Sequence, residues 1–380
     1  MSNKKIRVGV IFGGKSGEHE VSIVSALSII AALDRKKYDV VPIGITKKGQ
    51  WIAGSKVASI LKNQGIKEFP LLEKIITPDP TKGSLVPITS VKPKARLKET
   101  ALDVIFPVLH GPLGEDGTMQ GLLELSGIPY VGAGVLGSAV GMDKIVMKKL
   151  FRDENLPIVK FYDFLRTSWK KDPQKITKDV TKRLAFPMFV KPANLGSSVG
   201  ISKAKHRKEL IAAIKEAAKY DRRIIIEETV PNAREIEISV LGNDNPKTSL
   251  PGEVVASNEF YDYDAKYIDG KSEIIIPAKL PSKTIRTIQA IALRAFQATD
   301  CAGMARVDFL LDQKKNKLYL NEINTIPGFT SISMYPKLWE ASGISYVKLL
   351  DKLIQLAIER KLDRNKSLTS YRPKKEWHKK

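Results

Sequence analysis

The sequence predicts a three-domain protein of mixed α/β and α+β class. Its 380 residues exceed what one hydrophobic core usually supports. Near the start, apolar strand-like runs alternate with helical segments, which is typical of a parallel sheet with crossover helices. Further along, strand-like segments follow one another with few helices between them, which indicates antiparallel pairing. We therefore expect an N-terminal parallel α/β domain, a small central α+β domain and a C-terminal, mostly antiparallel α+β domain.

The first domain is expected to span residues 1–145. It opens with IRVGVIFGG, an apolar run ending in glycines, and the loop KSGEHE leads directly into the helical segment VSIVSALSIIAAL. The segments YDVVPIGIT and ALDVIFPVLHG supply further strands, and GTMQGLLELSG has the pattern of a second helix. This alternation of strand and helix indicates a parallel sheet with helices packed on it.

The central domain is expected to span residues 146–230. The helix DKIVMKKLFRDE lies at its boundary with the first domain, and FPMFVKPANLGSSVG then gives a strand and a loop rich in small residues. The amphipathic helix KAKHRKELIAAIKEAAKY and the short apolar strand in DRRIIIEETV complete this unit.

The C-terminal domain is expected to span residues 231–362. Its candidate strands are, in order, EIEISVLG, GEVVAS, SEIIIPA, ARVDFLLD and KLYLNEIN, and the helix TIRTIQAIALRAFQAT lies among them. The helix VKLLDKLIQLAIERKL closes the domain. Residues 363–380 form a basic tail, whose role the sequence leaves open.

Composition limits the classes of function. Hydrophobic residues at 43% and charged residues at 27% are ordinary for a globular protein. The net charge of +22 is compatible with a polyanionic partner. The positive charge is spread over the chain, however, without an arginine-rich block, a Cys/His finger spacing or alternating aromatic and basic residues. We therefore expect no nucleic-acid partner, since a protein that handles phosphorylated small molecules also uses such charge.

We expect neither membrane insertion nor export. The longest uncharged run, residues 125–142, is interrupted by glycines and a proline. The apolar stretch after the N-terminal lysines is too short for a secretory signal. With a single cysteine, Cys301, no internal disulfide can form, so we expect a cytoplasmic protein.

The segment NEINTIPG, residues 321–328, contains candidate metal ligands. In the preceding KLYLNEIN, polar and apolar residues alternate, so Glu322 and Asn324 are expected on the same face of one strand. Asp308 lies on a strand joined to this one by a turn, so a hairpin can bring the three oxygen ligands together. The set suits a pair of Mg²⁺ ions that bridge nucleotide phosphates. The alternative for the pair alone is a half-solvated strand edge that carries two polar residues by chance.

Arg306 lies two positions before Asp308 and is therefore expected on the same face of its strand. There its guanidinium could stabilise negative charge near the metal ions. The alternative is a salt bridge to Asp308 without a catalytic role.

The loop NLGSSVG, residues 194–200, is a candidate phosphate site. Its backbone N–H groups and the hydroxyls of Ser197 and Ser198 can approach an anion closely, and Lys191 adds a positive charge. The loop is not a Walker loop, because no G-K-[ST] follows at the required spacing, and a plain turn is the alternative. The segment IIIEETVPN begins as a buried strand and then becomes polar, which fits an adenine site with a carboxylate for the ribose hydroxyls.

Together these segments resemble the ATP-grasp superfamily and, within it, the D-alanine–D-alanine ligases. The resemblance covers nearly the whole chain, from about residue 5 to residue 362. It rests on EHEVS (18–22), HGPLGEDGTMQG (110–121), GMDK (141–144), KPANLGSSVGI (191–201), YDYDAKY (261–267), RVDF (306–309) and NEINTIPGFTSIS (321–333). These stretches in the family's order are a far more specific signal than any one of them.

The resemblance implies the three-domain ATP-grasp architecture and the family's reaction. That reaction joins two D-alanines to D-alanyl-D-alanine through a D-alanyl phosphate and releases ADP and phosphate, for peptidoglycan precursor synthesis. The resemblance also implies ATP and two Mg²⁺ (or Mn²⁺) ions, with Asp308, Glu322 and Asn324 as metal ligands. It further implies a homodimer.

For the first D-alanine, the resemblance implies a network around one carboxylate. Glu20 would hold the ammonium group, and Ser197 and Tyr267 would be linked to Glu20 by hydrogen bonds that close the site. The alternative for Glu20 is an acid that only interacts with a helix dipole. His110 would lie near the same amino acid, although a lone histidine is often structural.

For the transition state and the second D-alanine, the implied groups lie near the end of NEINTIPGFTSIS. Arg306 and the backbone N–H of Gly328 would bind the tetrahedral oxyanion. Ser333 and the backbone of Met334 would hold the carboxylate of the second D-alanine.

For the nucleotide, the resemblance implies lysines around the phosphates and a separate adenosine pocket. Lys144 and Lys191 would contact the phosphates from two sides, and Lys266 would cover the γ-phosphate when the site closes. The residues implied for the adenosine pocket are Glu227, Thr229, Val230 and Glu235. The turn VPNARE is one residue longer than is usual in the family, so the individual adenine contacts stay open.

Tyr267 also bears on the nucleophile. Some family members that make D-alanyl-D-lactate have a phenylalanine at this loop position, and a phenol can form hydrogen bonds that a benzene ring cannot. We therefore expect an amine nucleophile. The alternatives are another ATP-grasp ligase, including one that uses D-lactate, and, from a different class, a basic nucleic-acid-binding protein with a degenerate enzyme fold. The complete set of metal, phosphate and oxyanion residues argues against the last.

Overall fold

In the computed structural model, the described residues are 4–53, 57, 74–87, 100–255, 273–368 and 370–371. The strands are β1 (Ile6–Gly13), β2 (Tyr38–Ile45), β3 (Trp51–Ala53), β4 (Lys74–Ile76), β5 (Ser84–Pro87), β6 (Thr100–Ala101), β7 (Val104–Val108), β8 (Phe161–Leu165), β9 (Met188–Pro192), β10 (Ser202–Ala204), β11 (Arg223–Glu228), β12 (Ala233–Gly242), β13 (Lys247–Thr248), β14 (Gly252–Val255), β15 (Glu273–Ile275), β16 (Gly303–Asp312) and β17 (Lys317–Asn324). The helices are α1 (His19–Ala32), α2 (Thr118–Ser126), α3 (Val135–Met142), α4 (Lys144–Asp153), α5 (Arg166–Lys171), α6 (Pro173–Arg183), α7 (Arg207–Tyr220), α8 (Ser282–Ala298), α9 (Met334–Ala341) and α10 (Tyr346–Arg364). Among these described residues, no helix combines the length and the apolar character that a membrane crossing needs.

The first sheet has the strand order β3-β2-β1-β7, and β1 pairs in parallel with both β2 and β7. Strand β1 is buried from Val8 to Gly13, as expected for the centre of a parallel sheet. The edge strand β3 pairs antiparallel with β2, and a separate small sheet has the order β4-β5-β6. The predicted parallel α/β unit at the start of the chain is confirmed.

The second sheet has the order β10-β9-β11-β8, and its neighbouring strands are all antiparallel. Val190 and Ile226 of this sheet share a core with Val180 of α6 and Ile214 of α7. Strand β9 alternates between buried and half-buried positions, because one of its faces packs on these helices. The arrangement confirms the small central α+β unit.

The third sheet is antiparallel, with the order β15-β14-β12-β16-β17 and with β13 paired to β12. Helix α8 covers one face of it, because Ile288 and Phe296 of the helix share a core with Ile238 and Val307 of the sheet. The predicted antiparallel C-terminal sheet is confirmed.

Strand β17 departs from regular alternation at Asn321. The register with β16 shifts by one residue between Asp308 and Phe309, and Asn321 is left without a partner there. A bulge of this kind changes the side of the sheet to which the following residues point, so Leu320 and Ile323 are both buried although they are three residues apart. The sequence predicted an uninterrupted alternation through KLYLNEIN, and at Asn321 that prediction is wrong.

The last helix, α10, packs back against the first sheet. Its residues Leu349 and Leu353 are fully buried in a core that also contains Phe106 of β7. Near its end, Arg360 donates a hydrogen bond to the backbone carbonyl of Tyr130 at 3.1 Å, and its guanidinium lies 4.4 Å from the centroid of that ring. Helix α10 therefore completes the core of the first sheet. The domain boundaries at residues 145 and 230 stay predictions.

Candidate active site

A cleft of about 250 Å³ lies where the loop after β9, strands β16 and β17 and the loops of the first sheet meet. The predicted residues that line it are His110, Lys144, Ser197, Arg306, Glu322, Asn324, Gly328, Ser333 and Met334. These residues come from segments far apart in the sequence, and the fold brings them to one cavity.

The predicted metal ligands lie on the paired strands β16 and β17. Asp308 is the register partner of Glu322, and Asn324 is the partner of Arg306. The bulge at Asn321 immediately precedes Glu322, so it sets the side to which that carboxylate points. Two carboxylates and an amide are the hard oxygen donors that Mg²⁺ and Mn²⁺ prefer, so the residues present fit such ions.

The described residues do not by themselves form a complete ligand cage here. Within the part of the chain that the structure describes, no three His, Cys, Asp or Glu side chains are placed to hold an ion by themselves. Ions at this edge would take further oxygen atoms from water or from phosphate groups, as Mg²⁺ does in nucleotide sites.

Arg306 contacts two carboxylates beside these ligands. Its Nε and Nη2 donate to the two oxygens of Asp308 at 2.7 and 2.6 Å, and Nε lies 3.0 Å from Oε2 of Glu237. Burial alone would lower the pKa of Arg306, but the carboxylates raise it well above its ordinary value, so the guanidinium stays charged. The salt bridge to Asp308 is therefore present, and Arg306 nevertheless lines the cleft.

The structure corrects the predicted partner of Ser197. The Ser197 hydroxyl donates to Oε1 of Glu18 and not to Glu20. Glu20 instead pairs with Lys47, with 2.5 Å between Nζ and Oε1, and does not line the cleft. The two glutamates are two residues apart at the start of α1, and side chains at that spacing on a helix do not face each other. The motif EHE contains both, and only the orientation of α1 distinguishes them.

The loop around Ser197 has a strained backbone. Ser197 and Ser198 have positive φ angles of 49° and 59°, which residues with side chains adopt rarely. A Cβ on Gly196 would lie 2.7 Å from Oε2 of Glu18, so a larger residue there would displace that carboxylate. Strained backbone of this kind clusters at ligand sites, which favours the phosphate-loop interpretation over a plain turn. The side chain of Ser198 itself is not part of the cleft lining.

Helix α4 begins beside the cleft. Oδ1 of Asp143 caps the helix by accepting hydrogen bonds from two backbone N–H groups of its first turn, both at 3.0 Å. The ammonium of Lys144 donates to the carbonyl oxygen of Leu195 at 3.0 Å and lies 3.6 Å from Oε2 of Glu322. One lysine thus connects the loop 194–200 with strand β17.

Glu227 is buried between two lysines. Its Oε2 lies 2.6 Å from Nζ of Lys191, and its Oε1 lies 2.9 Å from Nζ of Lys148. Burial raises the pKa of this carboxyl, but the two ammonium groups outweigh it and lower the pKa to about 2. Burial lowers the pKa of Lys191, but the carboxylates of Glu227 and Glu322 raise it above its usual value. The side chain of Glu227, predicted for the adenosine pocket, therefore contacts lysines.

The other predicted adenosine residues lie on neighbouring segments. Thr229 and Val230 directly follow β11, and the backbone N–H of Thr229 donates to the carbonyl of Pro187 at 3.1 Å. Glu235 lies on β12, opposite Val254. Like Lys191, these three residues do not line the cleft described above. Lys266 and Tyr267 lie outside the described part of the chain. Their roles stay predictions.

The other end of the cleft is formed by the turn before α9. Oγ of Ser333 accepts a hydrogen bond from the backbone N–H of Thr330 at 3.0 Å and lies 2.8 Å from Oγ1 of Thr330. A Cβ on Gly328 would lie 2.7 Å from Oγ of Ser333, so a larger residue there would displace that hydroxyl. Helix α9 begins at Met334, and the free N–H groups of a helix start suit a carboxylate.

His110 is buried at the edge of the cleft. Its Nδ1 lies 3.1 Å from the carbonyl oxygen of Ile326 and 4.0 Å from Oε1 of Glu115. Burial lowers the pKa of His110, but the neighbouring carboxylate of Glu115 raises it above its ordinary value. Sequence reasoning missed Glu115, Glu18 and Glu237 as lining residues. Glu115 and Glu18 lie within the motifs HGPLGEDGTMQG and EHEVS, which could have indicated them. Glu237 can be identified as a lining residue only when β12 is known to pair with β16.

Two family models match this chain. The model described as D-ala D-ala ligase N-terminus matches residues 7–133, and the model described as D-ala D-ala ligase C-terminus matches residues 150–355. The chain is 52% identical to the D-alanine–D-alanine ligase of Natranaerobius thermophilus, over 97% of this chain and 99% of the relative. It is 50% identical to the D-alanine–D-alanine ligase of Heliobacterium modesticaldum, with the same coverage of 97% and 99%.

Solved structures resemble the fold over nearly its full length. The D-alanine–D-alanine ligase of Coxiella burnetii has a TM-score of 0.83 and 38% identity, covering 96% of this chain and 97% of that one. The D-Ala:D-Ser ligase VanG of Enterococcus faecalis has a TM-score of 0.82 and 36% identity, covering 93% of this chain and 100% of that one.

Proposed function

The chain belongs to the D-alanine–D-alanine ligase family, and we propose that it joins two D-alanines to D-alanyl-D-alanine while ATP is converted to ADP and phosphate. The observation that carries this proposal is one cleft lined by Arg306, Glu322 and Asn324 from a strand pair, by Lys144 from α4 and by Ser197 from a strained loop. It combines hard oxygen donors, cations for phosphate and a donor for an oxyanion. The product would serve peptidoglycan precursor synthesis.

Asp308, Glu322 and Asn324 would hold two Mg²⁺ or Mn²⁺ ions. When bound, the ions would neutralise charge on the phosphates during phosphoryl transfer. The protein's own contribution is to present these three side chains from one strand pair, with the bulge at Asn321 directing Glu322.

The lysines of the site add positive charge around the phosphates of the nucleotide. Lys144 lies in the cleft lining, and Lys191 is kept protonated by the carboxylate of Glu227. The N–H groups of the loop 194–200 are further donors for an anion. Lys266 would complete this set when the site closes.

We assign the ammonium group of the first D-alanine to Glu18, because its carboxylate lines the cleft and is oriented by the Ser197 hydroxyl. The carboxylate of this D-alanine would be activated as D-alanyl phosphate. Attack on it places negative charge on the carbonyl oxygen, and Arg306 and the N–H of Gly328 would stabilise that oxyanion.

The second D-alanine would be bound through its carboxylate at the start of α9. Ser333 and the backbone N–H of Met334 are the donors there. Its amine would then attack the acyl phosphate, and Tyr267 favours this amine over a hydroxyl nucleophile. A homodimer and a cytoplasmic location are further parts of the proposal.

The test is the release of ADP by the purified chain with ATP and Mg²⁺, measured with D-alanine, L-alanine, D-serine and D-lactate side by side. We expect ADP release and dipeptide formation with D-alanine, and much slower turnover with the other three acids. Equal rates with D-lactate would contradict the assigned nucleophile. No turnover with any acid, together with tight sequence-selective DNA binding, would contradict the proposal as a whole.

A further inference from the structure

We propose that Lys148 is a positioning residue for this reaction, which holds the nucleotide lysine Lys191 and the metal strand β17 in one arrangement. It acts through two acceptors, the carboxylate of Glu227 and the backbone carbonyl of Asn321. The inference rests on the proposed function, since it concerns how nucleotide and metal groups are held.

Lys148 is a buried cation that connects three elements. Its side chain on α4 is 1% exposed. Its Nζ lies 2.9 Å from Oε1 of Glu227 on β11 and donates to the carbonyl oxygen of Asn321 on β17 at 2.9 Å. A single ammonium therefore joins the second sheet to the third sheet. A buried lysine is rare unless it is paired, because its desolvation is costly.

The contact with Asn321 is made at the bulge. Asn321 has no register partner on β16, and a bulge residue leaves its backbone groups out of the ladder. Asn321 is half-buried, and its carbonyl accepts a hydrogen bond from Lys148 instead of from the ladder. The next residue is Glu322, so the hydrogen bond fixes the part of the strand that directs a metal ligand.

The contact with Glu227 acts on Lys191. Each oxygen of Glu227 faces one ammonium, Lys148 on one side and Lys191 on the other. Without Lys148, the carboxylate loses one of its two counterions in a buried place and would turn toward Lys191. Lys191 would then be drawn into a tighter pair and away from the phosphates of the nucleotide.

The competing explanation is a lysine that only stabilises the fold. It predicts that removal lowers the free energy of unfolding without a selective effect on the nucleotide. Lys149 provides a matched control, because it lies on the same helix, is half-exposed and pairs with the carboxylate of Asp163 at 3.0 Å, away from the cleft.

The experiment compares the full-length wild type with Lys148→Met and Lys149→Met. Steady-state kinetics give KM for ATP and for D-alanine, and isothermal titration calorimetry gives the Kd for ADP in the presence of Mg²⁺. For Lys148→Met we expect KM for ATP and Kd for ADP to rise about tenfold or more, as is typical for partners that orient metal and phosphate ligands. KM for D-alanine should change less than about twofold, and Lys149→Met should match the wild type. An unchanged Kd for ADP in a folded Lys148→Met would overturn the proposal.

A second variant keeps the proposal testable if Lys148→Met does not fold. Glu227→Gln changes little in shape, breaks the same link from its other end and should raise KM for ATP by a similar factor. Where Lys148→Met does fold, the two effects should be clearly less than additive in the double variant, because both remove one connection. Full additivity, or a wild-type KM for ATP in Glu227→Gln, would refute the link. Absence of ligase activity in the wild type would instead contradict the proposed function, while ADP binding would still report on Lys148.

Discussion

The guanidinium of Arg306 lies between the carboxylates of Asp308 and Glu237 and also faces the cleft. In the proposed reaction it stabilises charge that develops only in the transition state. The change Arg306→Ala should therefore cost about 3 kcal/mol or more of transition-state stabilisation, seen as a fall in kcat/KM. Arg234→Ala is the control, because Arg234 pairs with Glu253 on the same sheet but does not line the cleft. Equal losses of kcat/KM in the two variants would contradict the role of Arg306.

Glu322 offers a direct test of the metal site. Glu322→Gln keeps the shape of the side chain and removes one negative charge beside the proposed ions, so folding should be preserved while phosphoryl transfer becomes much slower. The measurement is turnover as a function of Mg²⁺ concentration, with circular dichroism to check the fold. Wild-type turnover at limiting Mg²⁺ would show that Glu322 is not a ligand.

Glu18 and Glu20 form a natural pair of variants. Glu18→Gln removes the charge that we assign to the ammonium of the first D-alanine, so kcat/KM for D-alanine should fall about 30-fold or more. Glu20→Gln breaks only an exposed pair with Lys47, which is worth about 1 kcal/mol at most, and activity should stay within about twofold of wild type. If Glu20→Gln lowered kcat/KM more than Glu18→Gln, Glu20 would be the residue that binds the ammonium group, as the sequence predicted.

At the scale of residues, sequence reasoning succeeds where a simple spacing decides the outcome. Glu322 and Asn324 are two positions apart on a strand, and both line the cleft. The spacing of Glu18 and Glu20 carries no such information, because either one can face inward depending on how α1 is rotated. Contacts such as Arg306 with Glu237 depend on strand order, which no local pattern contains.

At the scale of elements, the start of α4 links helix stability to the site. Asp143 caps the helix with Oδ1, while Oδ2 accepts hydrogen bonds from Arg223 and, at 3.2 Å, from Asn194 in the loop 194–200. Asp143→Ala should therefore lower the free energy of unfolding by about 2 kcal/mol or more, because a cap and a half-buried ion pair are lost together. Urea denaturation gives this value, and KM for ATP should rise in the same variant.

Asp172 provides the comparison for a cap alone. It accepts the backbone N–H of Lys175 at 2.9 Å at the start of α6, away from the cleft. Asp172→Ala should cost about 1 kcal/mol of stability and leave KM for ATP unchanged. If Asp143→Ala lowered the free energy of unfolding no more than Asp172→Ala, the contacts between Asp143 and the loop 194–200 would not contribute to stability.

The elements themselves were largely predictable. Long apolar or amphipathic runs gave the helices and strands around the site, because their periodicity reflects which face is buried. The bulge at Asn321 was not predictable, since the register of β17 depends on what β16 presents and on the donor that Lys148 brings from α4. Because the bulge depends on three elements, the sequence of one element alone does not predict it.

At the scale of the whole molecule, the single cysteine reports on unfolding. Cys301 is buried in the core beneath the third sheet, and burial raises the pKa of its thiol from about 9 to about 12. A raised pKa means fewer thiolates at a given pH, so at pH 8 the native protein should react about a thousandfold more slowly with a thiol reagent than the unfolded chain. Labelling with a chromogenic disulfide, with and without denaturant, measures this ratio. Rapid stoichiometric labelling of the native protein would contradict the burial of Cys301.

The order of the three larger sheets along the chain was predictable, because each has its own pattern of strands and helices. The position of α10 was not. Its sequence places it at the end of the C-terminal part, yet its buried leucines belong to the core that contains Phe106 of the first sheet. Amphipathicity identifies a face that must be buried but does not name the surface that buries it.

The place of α10 has a consequence for synthesis on the ribosome. Proteins with several domains usually fold from the N-terminus as each domain emerges. Here the core of the first sheet includes side chains of α10, which is translated after the second and third sheets, so the nascent chain carries an uncovered apolar surface until α10 is made. The first sheet reaches its native packing only when residues 346–364 have left the exit tunnel.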